Sequence, residues 1–240
     1  MHAIWTISKR ELNSFFDSLI AYILLALFLG FTGFFTWILG SDVFITGQAS
    51  LEQFFNMANL SFFIFVPALT MQLLAEERKL GTLELLLTKS VTDRQVVIGK
   101  FLAAVLMLVI ALLFTLPFVI TIFNIGNADV GQVLCGYLGL IFTGAAYVSI
   151  GLYCSSLTSN QIVSFLLALI ISVFFQFIFG FIGNYMGGAL GLFFNDLSMS
   201  AHFESISRGV VDTRDLVYFL SIIFIGLFLS ELSLTKRIAA

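Results

Sequence analysis

The chain has 240 residues, 60% of them hydrophobic, with 29 Phe and only 10% Asp, Glu, Lys and Arg. That much apolar side chain exceeds what a soluble domain of this length can bury, so the sequence belongs in a lipid bilayer. A formal net charge of -3 with no pooled basic patch excludes a nucleic-acid partner.

In chain order, Leu12, Phe15, Phe16 and Leu19 recur at helical spacing, with Lys9, Arg10, Asn13 and Asp17 available for the opposite face. This predicts an interfacial amphipathic helix. Crossing roughly 30 Å of hydrocarbon takes about 20 apolar residues in a helix, which satisfies its own backbone hydrogen bonds. Six stretches qualify, at 19–39, 57–74, 98–123, 133–153, 162–182 and 216–234. The first follows Lys9 and Arg10 as a signal core would, but it is too long for one and no small-residue cleavage pattern follows, so it is read as a retained helix.

Six spans place both termini on one face. That face carries Lys9, Arg10, Arg78, Lys79, Lys89, Arg94, Lys100, Lys236 and Arg237, nine basic residues against Arg208 and Arg214 on the other. The positive-inside rule makes the nine-charge face cytoplasmic.

Pro67 and Pro117 fall inside spans two and three, where each removes a backbone donor and predicts a kink. Between those spans, residues 75–100 hold nine of the chain's 25 charged residues. Leu80, Leu83 and Leu87, with Leu86 one position off the face, form a stripe there among Glu76, Glu77, Arg78, Lys79, Glu84 and Lys89. The spacing predicts a short amphipathic helix and then a turn at 90–93. Its stripe needs a dry surface: headgroups, the protein's own helix ends, or a groove in a soluble partner.

Cys135 and Cys154 stand near opposite ends of span four, too far apart to bridge, and read as free thiols. In the turn "YCSSLTSNQIVSF", Thr158 and Gln161 match a helix-start box. Gln72 and Gln176 are expected to be interhelical hydrogen-bond partners, and Gly187 and Gly191 stand at close-packing spacing. The first outer loop, 40–56, is acidic and free of Lys and Arg. The outer segment 183–215 begins apolar but is too short to cross and return, which predicts a re-entrant or interfacial helix. His202, Glu204, Arg208 and Asp212 are its candidate residues for an exit-side gate or partner platform.

The sequence contains no HExxH or G-x-S-x-G motif and only two histidines, His2 and His202, which argues against a membrane enzyme. Met186, Met199, His202 and Glu204 also suggest a copper-handling surface, but read more economically as an ordinary interfacial cluster; no metal site is assigned. A passive channel or scaffold is a further reading, against which stands the charged, leucine-striped segment.

The run "AEERKLGTLELLLTKSVTDRQVVIGKFLA" resembles the segment between the second and third helices of ABC-2-type transporter permeases, where E-x-x-x-x-G-T-x-E-L-L-L precedes a GK-headed third helix. "GLYCSSLTSNQIVSF" and "HFESISRGVVDTRDLVYFLS" resemble that family too, so the likeness covers essentially the whole chain. Within the family, "EERKLGTLELLLTK" with "SSLTSNQIV" is most similar to the gliding-motility (Gld-type) F-subunit permeases of Bacteroidetes.

The resemblance implies an all-α polytopic protein, one permease domain over 1–240, in a bacterial inner membrane. It implies that the charged helix is a coupling helix docking on an ATPase. On matching positions Glu77, Gly81, Thr82 and Glu84 form the motif, Glu76, Arg78 and Lys79 neighbour it, and Leu83 and Leu87 seat it. No G-x-x-x-x-G-K-[ST] phosphate loop occurs, so the chain is not itself an enzyme and has no cofactor of its own; ATP and Mg belong to a separate ATPase, present twice. Six spans are half of the family's usual core, so the resemblance implies a second permease subunit, identical or related, and the expected partners extend to a periplasmic protein and the bilayer itself. The expected function is ATP-driven export or force transmission of the gliding type. Copper-site maturation, polysaccharide or lipid export, and a non-transporting scaffold are the alternatives.

Overall fold

The computed structural model describes residues 2–39, 50–82 and 92–238, and among them the protein is all helical. Six helical stretches are long and apolar enough to cross a membrane: Leu19–Trp37, Glu52–Lys79, Asp93–Ile125, Val130–Leu157, Gln161–Tyr185 and Thr213–Thr235. They match the six predicted spans in order, with ends displaced by a few residues.

Helix α1 (His2–Asp17) lies ahead of the first span and packs along the start of α5 (Asp93–Leu113). A Cβ on Gly99 would stand 2.8 Å from Ile7 Cγ2, so the absence of a side chain there lets the two helices touch. Ile7, Ser8 and Phe15 are buried, and Leu12 and Phe16 pack against the core. Leu19 does not continue this face. The chain breaks at Ser18, whose hydroxyl accepts from Ile20 N at 3.2 Å to cap α2 (Leu19–Trp37), and Leu19 is exposed on the new helix.

Helix α3 (Glu52–Thr70) packs on α2 through Phe28, Phe62 and Phe65, whose rings lie 5.1 to 6.5 Å apart. Pro67 sits in its last turns. The α-helix ends three residues later, a non-α turn follows, and α4 (Ala75–Lys79) resumes. Pro117 breaks span three more completely. Helix α5 ends at Leu113, and α6 (Leu116–Ile125) restarts with the proline in its first turn, where a missing N–H leaves no bond unmade. Thr115 at the break donates to Leu112 O and pairs with the Tyr137 hydroxyl at 2.9 Å.

Helix α7 (Val130–Leu157) is the core post, in contact with α3, α5 and α12 (Thr213–Ile238). Its small residues allow this. A Cβ on Gly144 would fall 2.3 Å from Leu108 Cδ1, and one on Gly151 would overlap the Thr70 hydroxyl. Both cysteines are free, with Cys154 buried.

Asn160, not Thr158, caps α8 (Gln161–Val173): its side chain accepts from Ile162 N at 2.9 Å. Thr158 lies two residues too early to reach the third helical N–H and instead accepts from Asn160 N. Span five then widens into a π-helical turn, Phe174–Ile178, before α9 (Phe179–Tyr185).

The chain next folds back as α10 (Gly188–Asn195), packed against α9. Leu190, Leu192 and Phe193 are exposed on it, an apolar face that suits either a re-entrant or an interfacial helix. The close approach uses Gly183 against the Asn195 backbone and Gly191 against Met186 O, whereas Gly187 faces open space. Helix α11 (Met199–Ser207) then seats on α7, and α12 returns to the terminal face.

Candidate docking face and its opposite pole

The terminal face is defined by two long-range contacts. Lys100 of α5 meets Glu11 of α1, and Thr235 near the C-terminus donates to Asp93.

Leu74 N and Ala75 N both donate to Ser155 Oγ at 3.0 Å, and that hydroxyl donates to Met71 O at 3.0 Å. One α7 side chain thus satisfies three backbone groups loosened where α3 gives way to α4. The next α7 carbonyl, Ser156 O, accepts from Arg78 at 2.7 Å and from Ser233 of α12 at 3.1 Å. The run "SSLTSNQIV" is therefore, in its first two residues, the anchor of the charged segment.

Lys100 has no exposed surface. Its ammonium lies 2.9 Å from Glu77 Oε2 and 3.1 Å from Glu11 Oε2, while Arg10 lies 3.1 Å from Glu77 Oε1 and 2.6 Å from Glu11 Oε1. Two cations and two anions close a neutral ring joining α1, α4 and α5. Burial pushes the Glu11 carboxyl up, but Lys100 and Arg10 outweigh it and hold it below its ordinary value.

Glu77 and Arg78, predicted as docking contacts, thus spend their charges inside the protein. Glu76, Lys79 and Leu80 are exposed beside them. The predicted amphipathic helix does not run unbroken from α4. Its first turn stops at Lys79, and Gly81 adopts φ +68°, a left-handed position that ends helices and favours glycine. Helical geometry resumes at Thr82, whose hydroxyl donates to Glu77 O at 3.3 Å. Leu83, Glu84 and Leu87 lie outside the described residues. A cleft of about 590 Å³ opens here, with Arg10, Glu11, Asp17, Gln72, Glu76 and Glu77 in its wall.

At the opposite pole, His202 Nδ1 lies 2.6 Å from Asp215 Oδ1 and Nε2 lies 3.0 Å from Asp196 O. A backbone carbonyl only accepts, so Nε2 is the donor to Asp196 O, and Asp215 holds the other ring nitrogen. The imidazole stacks on Tyr218, centroids 3.9 Å apart, and the Tyr218 hydroxyl donates to Leu197 O at 2.6 Å. Arg214 pairs with Asp196. This cluster clamps the segment after α10, and α11, to α12. Sequence reasoning found His202 but missed Asp215, Tyr218, Asp196 and Arg214, because no local spacing links them.

Glu204 pairs with Arg208 one turn on at 2.8 Å, and Asp212 caps α12 by accepting from Arg214 N. Both His202 nitrogens are engaged and Met199 is buried in the core, so the copper-handling grouping does not assemble. Gln176 behaves as expected of an interhelical partner, accepting from the Tyr147 hydroxyl at 2.6 Å.

Residues 5–207 match the family model described as ABC-2 family transporter protein. No curated protein matches the chain.

Proposed function

Because the chain belongs to the ABC-2 family of transporter proteins, it is the membrane-spanning permease subunit of an ABC transporter and works with an ABC ATPase, and we propose that the segment from Glu76 to Lys89 docks that ATPase. The face it occupies is the cytoplasmic face of the inner membrane, and the complex couples hydrolysis to export or force transmission of the gliding-motility type. Two ATPases, a second permease subunit and a periplasmic partner complete the assembly.

The observation that carries the coupling reading is the neutral ring of Arg10, Glu11, Glu77 and Lys100. A push on α4 is delivered through Glu77 to span three and to α1 together, while Arg78 and Ser155 deliver it to span four. Exposed Glu76, Lys79 and Leu80 offer an orienting charged rim around an apolar contact.

Reversing Glu76→Lys, Lys79→Glu and Glu84→Lys together tests this. The tagged chain, purified from its membrane in mild detergent, should insert normally yet fail to bring down an ATP-hydrolysing subunit. Unchanged recovery of that subunit, with unchanged hydrolysis, would reject the docking role.

A further inference from the structure

A polar hollow at the pole away from the termini lies between α3, the π-helical turn and α11. Its two lobes, of about 590 and 550 Å³, share Gln176, Ser200, Glu204 and Arg208. Gln176 is 5% exposed, and it is fixed from two sides, by Tyr147 on its side chain and by Ser200 on its backbone carbonyl. Asn59 of α3, also 5% exposed, lines the second lobe, and its Oδ1 has no hydrogen-bond partner among the described residues. A buried amide oxygen left unpaired is expensive, and a donor brought by a ligand would relieve it.

Beside the hollow lies a groove of opposite character. About 460 Å³ of almost wholly apolar space runs along α2 and α3, bounded by Leu24, Leu27, Phe31, Leu60, Ile64 and Phe177. Leu60 lines both the groove and one polar lobe, and Phe177 lines both the groove and the other. From Phe31 back to Leu24 the groove runs about 10 Å along α2, across the midpoint of the span at Phe28. Polar head space adjoining apolar tail space is the outline of an amphiphile in the bilayer.

Charge narrows the headgroup. Among the described residues, Glu52 and Glu204 face the hollow against one cation, Arg208, so a net negative headgroup is disfavoured. We propose that this composite cavity binds an amphiphile whose headgroup carries hydroxyl or ammonium donors and no net negative charge, one donor meeting Asn59 Oδ1 and the acyl chain lying in the α2–α3 groove. The site is distant from the docking face and stands whether or not the ATPase docks at Glu76 to Lys89.

The test uses the full chain in its native complex, equilibrated in nanodiscs holding equal phosphatidylethanolamine and phosphatidylglycerol, with retained lipid read by native mass spectrometry. The wild type should retain phosphatidylethanolamine in preference. Asn59→Leu should weaken retention about fivefold through the lost acceptor. Leu27→Trp, at an exposed position where folding is not at stake, should obstruct the groove and lower retention with the complex intact. Lipid that stays bound through ATP turnover would be a resident component and lipid released by turnover would be cargo, and either supports the site. Equal retention in all three proteins, preference for phosphatidylglycerol, or cross-linking through position 27 to a second copy of the chain in place of lipid would overturn the proposal.

Discussion

Lys100 carries a charge with no exposed surface, in a helix otherwise built for lipid. Only paired carboxylates make that tolerable, and removing one member of such a set leaves a buried charge without compensation. Lys100→Met is expected to destabilise the folded chain by about 3–5 kcal/mol, read as a lower unfolding midpoint in detergent. A companion Glu77→Gln should restore part of the loss, whereas an additive result would show that the pair is not coupled. Glu11 sets the acid limit of the same ring. Its carboxyl lies below the ordinary 4.5 when folded, so its contribution is complete above that value and drains away as pH falls through the folded one. Stability should hold from neutral pH down to about 5 and then decline, and Glu11→Gln should flatten that acid limb. An unchanged acid limb in the variant would remove Glu11 from the account. None of these partnerships was legible in the sequence, because Glu11, Glu77 and Lys100 come from three separate helices and no local spacing connects them.

The helices themselves were legible wherever one face or one composition ran on long enough. Six apolar runs gave six spans, and the short outer helices α9 and α10 stand where the length was too short to cross twice. The joints were harder. Pro117 announced a kink, and the α-helix is interrupted at Phe114 and Thr115 just ahead of it, which puts the proline in the first turn of the resumed helix. Thr158 looked like a cap, but Asn160 lay nearer the helix and took the role. The α3–α4 joint depends on Ser155, whose significance is tertiary. Ser155→Ala would orphan Leu74 N, Ala75 N and Met71 O, with an expected penalty of about 1–3 kcal/mol and faster amide exchange at residues 74–75. Where α3 crosses α7, Gly151→Ala would drive a methyl into Thr70, an overpacking of about 1–3 kcal/mol that Thr70→Ala should relieve in part. Thermal unfolding of both single variants and the double would decide it; no relief in the double variant would mean that the strain lies elsewhere.

At the scale of the molecule, the sequence is expected to sort its basic residues nine to two between the faces, and the structure places Lys100 and Thr235 at one end and Arg208 and Arg214 at the other. Reporter fusions at both termini should be active only in cytoplasm-dependent forms, and a periplasmic signal from either would reverse the topology. Family membership was legible from three separated motifs because each sits at a joint: the α4 segment, the α7 anchor and the α11–α12 clamp. The internal use of Glu77 and Arg78 was not, since a charged residue in a polar segment looks the same in sequence whether it faces a partner or its own protein.

The ring around Lys100 has an electrical consequence. Each elementary charge that crosses the full field of an energised membrane exchanges about 2.3 kcal/mol per 100 mV. Arg10, Glu11, Glu77 and Lys100 sum to zero and are bound to one another, so a stroke that carries them together moves no net charge. Under the proposed coupling, movement of this ring should therefore add no dependence of the rate on membrane potential, read by comparing polarised with depolarised vesicles.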